Sequence, residues 1–279
     1  NITLCTGQQS TAISFTSPVA GTAFAWTNAN TNIGLGASGS NTVPVFTATN
    51  SSNSAPLTSQ VSVTSSLTVN NVTCTGAPML FNITVNPNTT VNAVNSITLC
   101  AGATTAQIPF AGTGTSYTWV NSNPSIGLLG NGTGTIAPFV VTNGGVAPIT
   151  GNIVVTSVFT GGGISCNGAT TNFSITVNPT PTVTAPANVT LCNGATSSAI
   201  ALTGTGTAYN WTNSTPGIGL AASGSGNIPS FVAVNNTANP ITATINITPV
   251  YANNNVSCPG TVQSFTITVN PAPQVTFNV

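Results

Sequence analysis

The chain contains no Asp, Glu, Lys, Arg or His in 279 residues. An ordinary soluble domain has about 25% charged residues, so this absence excludes more than any motif does. General acid–base catalysis needs a His, a carboxylate or a Lys poised near working pH. Ser, Thr and Cys nucleophiles need a base beside them. Neither requirement is met, so no enzyme is expected, and no catalytic residue or cofactor site is assigned. Nucleic-acid binding rests on Lys and Arg at phosphates, and that partner is excluded too. Calcium cages of carboxylates and zinc sites with His or carboxylate lose their usual ligands, so no metal is expected. No run approaches 18 apolar residues, so no membrane span is expected, and no secretory signal stands at Asn1.

What is present rules out disorder. Hydrophobic residues make up 40% of the chain, whereas disordered chains combine low hydrophobicity with high net charge. The chain is also written three times. Trp26-Thr-Asn-Ala-Asn-Thr-Asn-Ile-Gly-Leu35 returns as Trp119-Val-Asn-Ser-Asn-Pro-Ser-Ile-Gly-Leu128 and as Trp211-Thr-Asn-Ser-Thr-Pro-Gly-Ile-Gly-Leu220. Phe81-Asn-Ile-Thr-Val-Asn-Pro87, Phe173-Ser-Ile-Thr-Val-Asn-Pro179 and Phe265-Thr-Ile-Thr-Val-Asn-Pro271 keep the same beat. The Trp-to-Trp spacings of 93 and 92 are too long for a solenoid unit and long enough for a small domain.

We therefore expect repeats at 1–87, 88–179 and 180–271, with 272–279 opening a fourth. Asn1-Ile-Thr-Leu-Cys5 matches Ser96-Ile-Thr-Leu-Cys100 and Asn188-Val-Thr-Leu-Cys192. The later repeats carry about eight further residues between the joint and this point, so the first repeat is expected to lack its opening strand. This register predicts either a piece of a longer array or a unit continued by a neighbour.

Within a repeat the period is two: Phe173, Ile175 and Val177 alternate with Ser174, Thr176 and Asn178, the pattern of a strand with one buried face. Ile153 to Phe159 and Ile241 to Val250 read as further strands rich in Val, Ile and Thr. Gly and Asn clusters mark the turns between them. The predicted fold class is all-β: about seven short strands per repeat form immunoglobulin-like β-sandwich modules, placed in tandem as an extended rod. Trp26, Trp119 and Trp211, with Phe81, Phe173 and Phe265, are assigned to the core, because strand alternation favours burying the large aromatics. The alternative for the Trp residues is an exposed platform for sugar stacking. Gly34, Gly127 and Gly219 are expected to serve backbone geometry.

Two Cys per repeat, Cys5 and Cys74, Cys100 and Cys166, Cys192 and Cys258, lie 69, 66 and 66 residues apart. Their even, periodic use predicts one disulfide inside each repeat and an oxidising compartment, with the second Cys in a hairpin loop. The joints Pro179-Thr-Pro181 and Pro271-Ala-Pro273 are of the stiff, extended kind. Asn71, Asn131 and Asn246 head Asn-x-Thr triplets and are candidate glycosylation sites.

The string from Trp211 to Phe231, Trp-Thr-Asn-Ser-Thr-Pro-Gly-Ile-Gly-Leu-Ala-Ala-Ser-Gly-Ser-Gly-Asn-Ile-Pro-Ser-Phe, resembles the PKD-like repeats of very large bacterial cell-surface proteins. The closing Phe-x-Ile-Thr-Val-Asn-Pro fits them too, and the resemblance covers all three repeats. It implies a β-sandwich stalk in an exported adhesin of the gliding type, carried as an extracellular surface filament and partnered by its own neighbouring repeats. Such repeats are poor in charge but seldom free of it. Two other readings stay open: an array binding surface polysaccharide, and a subunit polymerising by strand exchange.

Overall fold

The computed structural model describes residues 1–275. The expected fourth start at 272–279 thus falls partly outside the described residues. Three sheets of the same plan appear, one per repeat. Each runs in the order lead strand, return strand, long strand, Trp strand, edge strand. The lead strands are Ile2–Cys5, Ile97–Cys100 and Val189–Cys192. The Trp strands are Ala23–Asn28, Ser116–Asn121 and Ala208–Asn213. The edge strands are Ser38–Ser40, Asn131–Thr133 and Ser223–Ser225. The long strands are Leu57–Val69, Ile149–Gly161 and Ile241–Asn253.

A two-residue turn reverses each long strand. Asn70-Asn71, Gly162-Gly163 and Asn254-Asn255 all have positive φ at both positions, the type I′ geometry that suits a twisted hairpin and favours Gly and Asn. The return strand then runs back as Val72–Thr75 and Met79–Asn86, as Ile164–Asn178, or as Val256–Pro259 and Gln263–Asn270. Lead and return strands pair in parallel; the other pairs in each sheet are antiparallel.

The facing layer is thin. Ile13–Ser14 pairs Thr42–Val43, and at the same place the later repeats have the single bridges Ile108↔Ile136 and Ile200↔Ile228, joined elsewhere in the layer by short pairings such as Thr104↔Val140, Thr196↔Val232 and Val183–Thr184 with Thr203–Gly204. Pro44 and Pro229 follow at once and Pro138 two residues on, and a proline has no N–H to extend a ladder. A separate core fills each sandwich, around Ile33, Val61 and Ile83, around Ile126, Ile153 and Ile175, and around Ile218, Ile245 and Ile267. The outer face carries no charge pairs. Threonine hydroxyls bond across the strands there instead: Thr58–Thr84, Thr150–Thr176 and Thr242–Thr268, each at 3.0 Å, pairs of a kind that stabilise sheets modestly.

The signature motif sits at the core's rim. Trp26, Trp119 and Trp211 are buried, and each indole lies against the edge-strand glycine opposite it, Gly39, Gly132 or Gly224, where a Cβ would strike the ring. The Asn two residues after each Trp is also buried. Asn28, Asn121 and Asn213 donate through Nδ2 to the carbonyls of Leu35, Leu128 and Leu220 at 2.8, 3.0 and 2.9 Å. Between them one 3-10 turn carries the Ile into the core and ends on Gly34, Gly127 or Gly219, all at φ 94°. A Cβ on these glycines would run into the carbonyl of Thr47, Val140 or Val232. Gly219→Ala thus meets both a left-handed backbone and a collision, and is expected to cost the third repeat about 1–3 kcal/mol. Hydrogen exchange should speed up across 241–253 and stay unchanged across 57–69; equal protection in both would remove this account.

Candidate inter-module clasp

Both disulfides cross between repeats. Cys5 bonds to Cys166 and Cys100 to Cys258, with Cα atoms 5.5 Å apart in each and sequence separations of 161 and 158. The expected pairing inside each repeat is therefore corrected. Cys74 and Cys192 are free and exposed. The strand register gives the reason. Leu4 stands beside Val85, which stands beside Leu57; Cys74 stands beside Leu67. Ten residues of strand separate Leu57 from Leu67, roughly 33 Å at about 3.3 Å per residue, whereas bridged Cα atoms lie within about 7 Å. The first Cys of a repeat is at its far end and the second Cys at its near end. The second Cys is also not in a loop: Cys74, Cys166 and Cys258 all lie in strands, three residues past the turn.

The hairpin of one repeat reaches back onto the lead strand of the repeat before it. At the first joint Asn86, with no exposed surface, donates through Nδ2 to the Gly161 carbonyl at 3.0 Å. At the second, Asn253 Nδ2 donates to Asn178 Oδ1 at 2.9 Å and Asn254 Nδ2 to Thr98 Oγ1 at 3.4 Å. Asn86 and Asn178 are the Asn of the Val-Asn-Pro motif. The sequence shows them as periodic, but only the joint explains them: each is the last return-strand residue, buried beneath the next repeat. The peptide link is pinned as well. The Thr89 carbonyl accepts from Ala169 N at 2.7 Å and from Ser157 Oγ at 2.8 Å. In the second joint Thr205 N donates to the Thr182 carbonyl at 3.0 Å, and Thr182 N to Thr205 Oγ1 at 2.8 Å. Each joint is thus crossed by two covalent connections, the linker and the bridge, with part-buried and exposed hydrogen bonds beside them.

The other assigned residues fall as follows. Phe173 and Phe265 are buried, while Phe81 is only half-buried and lines an open groove of about 640 Å³ with Ile13, Phe15, Phe24 and Met79. The buried Trp residues offer no stacking platform. Asn71, Asn131 and Asn246 are exposed, Asn71 within the first hairpin turn. No group of three metal-ligating side chains occurs among the described residues, and no helix is long and apolar enough to cross a membrane.

No protein-family profile and no curated protein matches this chain. Among solved structures it is similar to mouse protocadherin-24 EC1-3, at 12% identity and a TM-score of 0.35, covering 97% of this chain and 96% of that one. It is similar to the insect immune protein hemolin, at 12% identity and 0.32, over 97% and 74%. It is similar to Sidekick-1 immunoglobulin domains 1–5, at 16% and 0.31, over 98% and 57%. Scores this low carry no conclusion, and the architecture rests on the chain's own strand order: an all-β tandem of immunoglobulin-like sandwiches.

Proposed function

We propose that this chain is a structural repeat segment of an extracellular adhesin or surface filament, a stiff stalk that holds an adhesive or displayed part away from a cell. The observation that carries the reading is the double covalent joint: a linker alone permits bending, and a second connection restricts it. The repeats at 1–87, 88–179 and 180–271 act as the folding units, each with its own core. The disulfides support an oxidising, extracellular compartment. The lack of any charged or imidazole side chain supports a non-catalytic role. Glycans on Asn71, Asn131 and Asn246 would keep an uncharged surface in solution, since zero net charge promotes association.

Solution scattering tests the joints. The oxidised protein is compared with a variant in which Cys5, Cys166, Cys100 and Cys258 are all Ser. The repeats should stay folded while the radius of gyration falls and the distance distribution broadens. Identical curves would mean that the bridges do not set the stiffness. The exposed groove of the first repeat favours a second reading, a filament subunit joined to its neighbours.

A further inference from the structure

The clasp is made twice among the described residues, and each of its halves is also present there once without its counterpart. The unused hairpin is Val69 to Cys74. Its turn has φ of 48° and 59°, against 48° and 60° in the Asn254-Asn255 turn that closes the second joint. Val72 is 64% exposed, whereas its counterparts Ile164 and Val256 are half-covered in their joints. Cys74 is exposed, whereas Cys166 and Cys258 are 3% and 1% exposed.

The unused receiving face is at the other end. Cys192 stands beside Asn270 in the register that places Cys5 beside Asn86 and Cys100 beside Asn178. Asn270 is half-exposed, while Asn86 and Asn178 are fully covered.

A third, independent feature matches the same two ends. In the third repeat Val183 pairs with Gly204 and is buried in the core, and Val91 bridges Gly112 in the second. In the first repeat that position is the open apolar groove beside Phe15, Phe24 and Phe81. Ala272-Pro-Gln-Val275 repeats Thr180-Pro-Thr-Val183, and Val275 is 81% exposed.

We propose that the protein assembles head to tail with a second copy of itself: the first-repeat hairpin of one copy seats on the third-repeat lead strand of another, Val275 enters the groove, and a Cys192–Cys74 disulfide closes the joint. This inference rests on the clasp reading of the two internal joints. The contact is heterologous, so repetition gives an open filament rather than a closed dimer. The bond forms by exchange with a small-molecule disulfide such as oxidised glutathione. The Cys192 thiolate attacks it, forming a mixed disulfide and releasing one glutathione thiolate. Cys74 of the next copy then attacks the Cys192 sulfur and releases the second, so that one disulfide is consumed for one formed.

The test is a non-reducing gel of the purified 279-residue protein in a glutathione redox buffer, with peptide mapping of the same sample. A ladder in steps of 27.6 kDa is expected, which reductant abolishes. Cys74→Ser alone and Cys192→Ser alone should each remain monomeric, and their mixture should stop at dimers carrying the Cys192–Cys74 peptide. Dimers in Cys192→Ser alone, or a wild-type protein that stays monomeric with both thiols free, would overturn the proposal. Mapping separates the two levels: Cys5–Cys166 present without a ladder rejects only the assembly, whereas Cys5–Cys166 absent rejects the clasp itself.

Discussion

Pulled from its two ends, the oxidised chain should reach only about a third of the length it reaches after reduction. Fully extended, 279 residues span about 950 Å at ~3.4 Å each. The two bridged spans overlap, because Cys100 lies inside the Cys5–Cys166 span and Cys166 inside the Cys100–Cys258 span. The shortest covalent route therefore crosses from Cys5 to Cys166, returns along the chain to Cys100, crosses to Cys258 and continues to the end, which is roughly 300 Å of chain. Bridges inside each repeat would also shorten the chain, so single variants decide between the two patterns. Cys74→Ser should leave the limit where it is, since Cys74 is free. Cys5→Ser should lengthen it by about 100 Å. A Cys74→Ser chain that extends by some 230 Å would restore the pairing within repeats. The overlap also has a mechanical consequence: no repeat can be drawn out independently of its neighbour, so load on one joint is shared with the next.

The repeat, the strand class and the packing role of the Trp motif are legible in the sequence because period-two burial and a recurring aromatic mark them directly. The disulfide partners are not. A Cys that recurs with the period of the repeat has one candidate partner in its own repeat and another one period further on, and spacing treats the two alike. The separations within a repeat, 69 and 66, become 161 and 158 between repeats by adding one period. Two local signals would have decided it. Asn70-Asn71, Gly162-Gly163 and Asn254-Asn255 mark tight turns just before the second Cys and so place it at one end of its module. The first Cys closes a strand whose parallel partner ends at Val-Asn-Pro, the other end. The Asn of that motif was missed for a related reason: it is buried by the next repeat, and period-two patterns describe only burial within one sheet. The thin second layer was likewise hidden, because alternation there is cut short by Pro44, Pro138 and Pro229.

Replacing the Trp should cost most where its indole is bonded, and this distinguishes repeats that otherwise look alike. Trp211→Ala removes the largest side chain of the third core and leaves a cavity against Gly224, at about 3–5 kcal/mol, a large share of the 5–15 kcal/mol that holds a typical domain. Calorimetry should then show one of the unfolding transitions at a much lower temperature. Trp→Phe is the sharper comparison. Trp26 donates through Nε1 to the Thr42 carbonyl at 2.9 Å, whereas the indole nitrogens of Trp119 and Trp211 are buried with no protein partner among the described residues. Trp26→Phe strands a carbonyl and loses a bond, at about 1–3 kcal/mol beyond the change in packing. Trp119→Phe and Trp211→Phe remove a donor that was already unpaired, so the same swap should be cheaper there. Measured by hydrogen exchange in the long strand of each repeat, the loss of protection should be greatest in Leu57–Val69 for Trp26→Phe. Equal losses in all three strands would show that the indole nitrogen contributes nothing beyond its bulk, and that the aromatic face against the edge-strand glycine alone explains why Trp stands there.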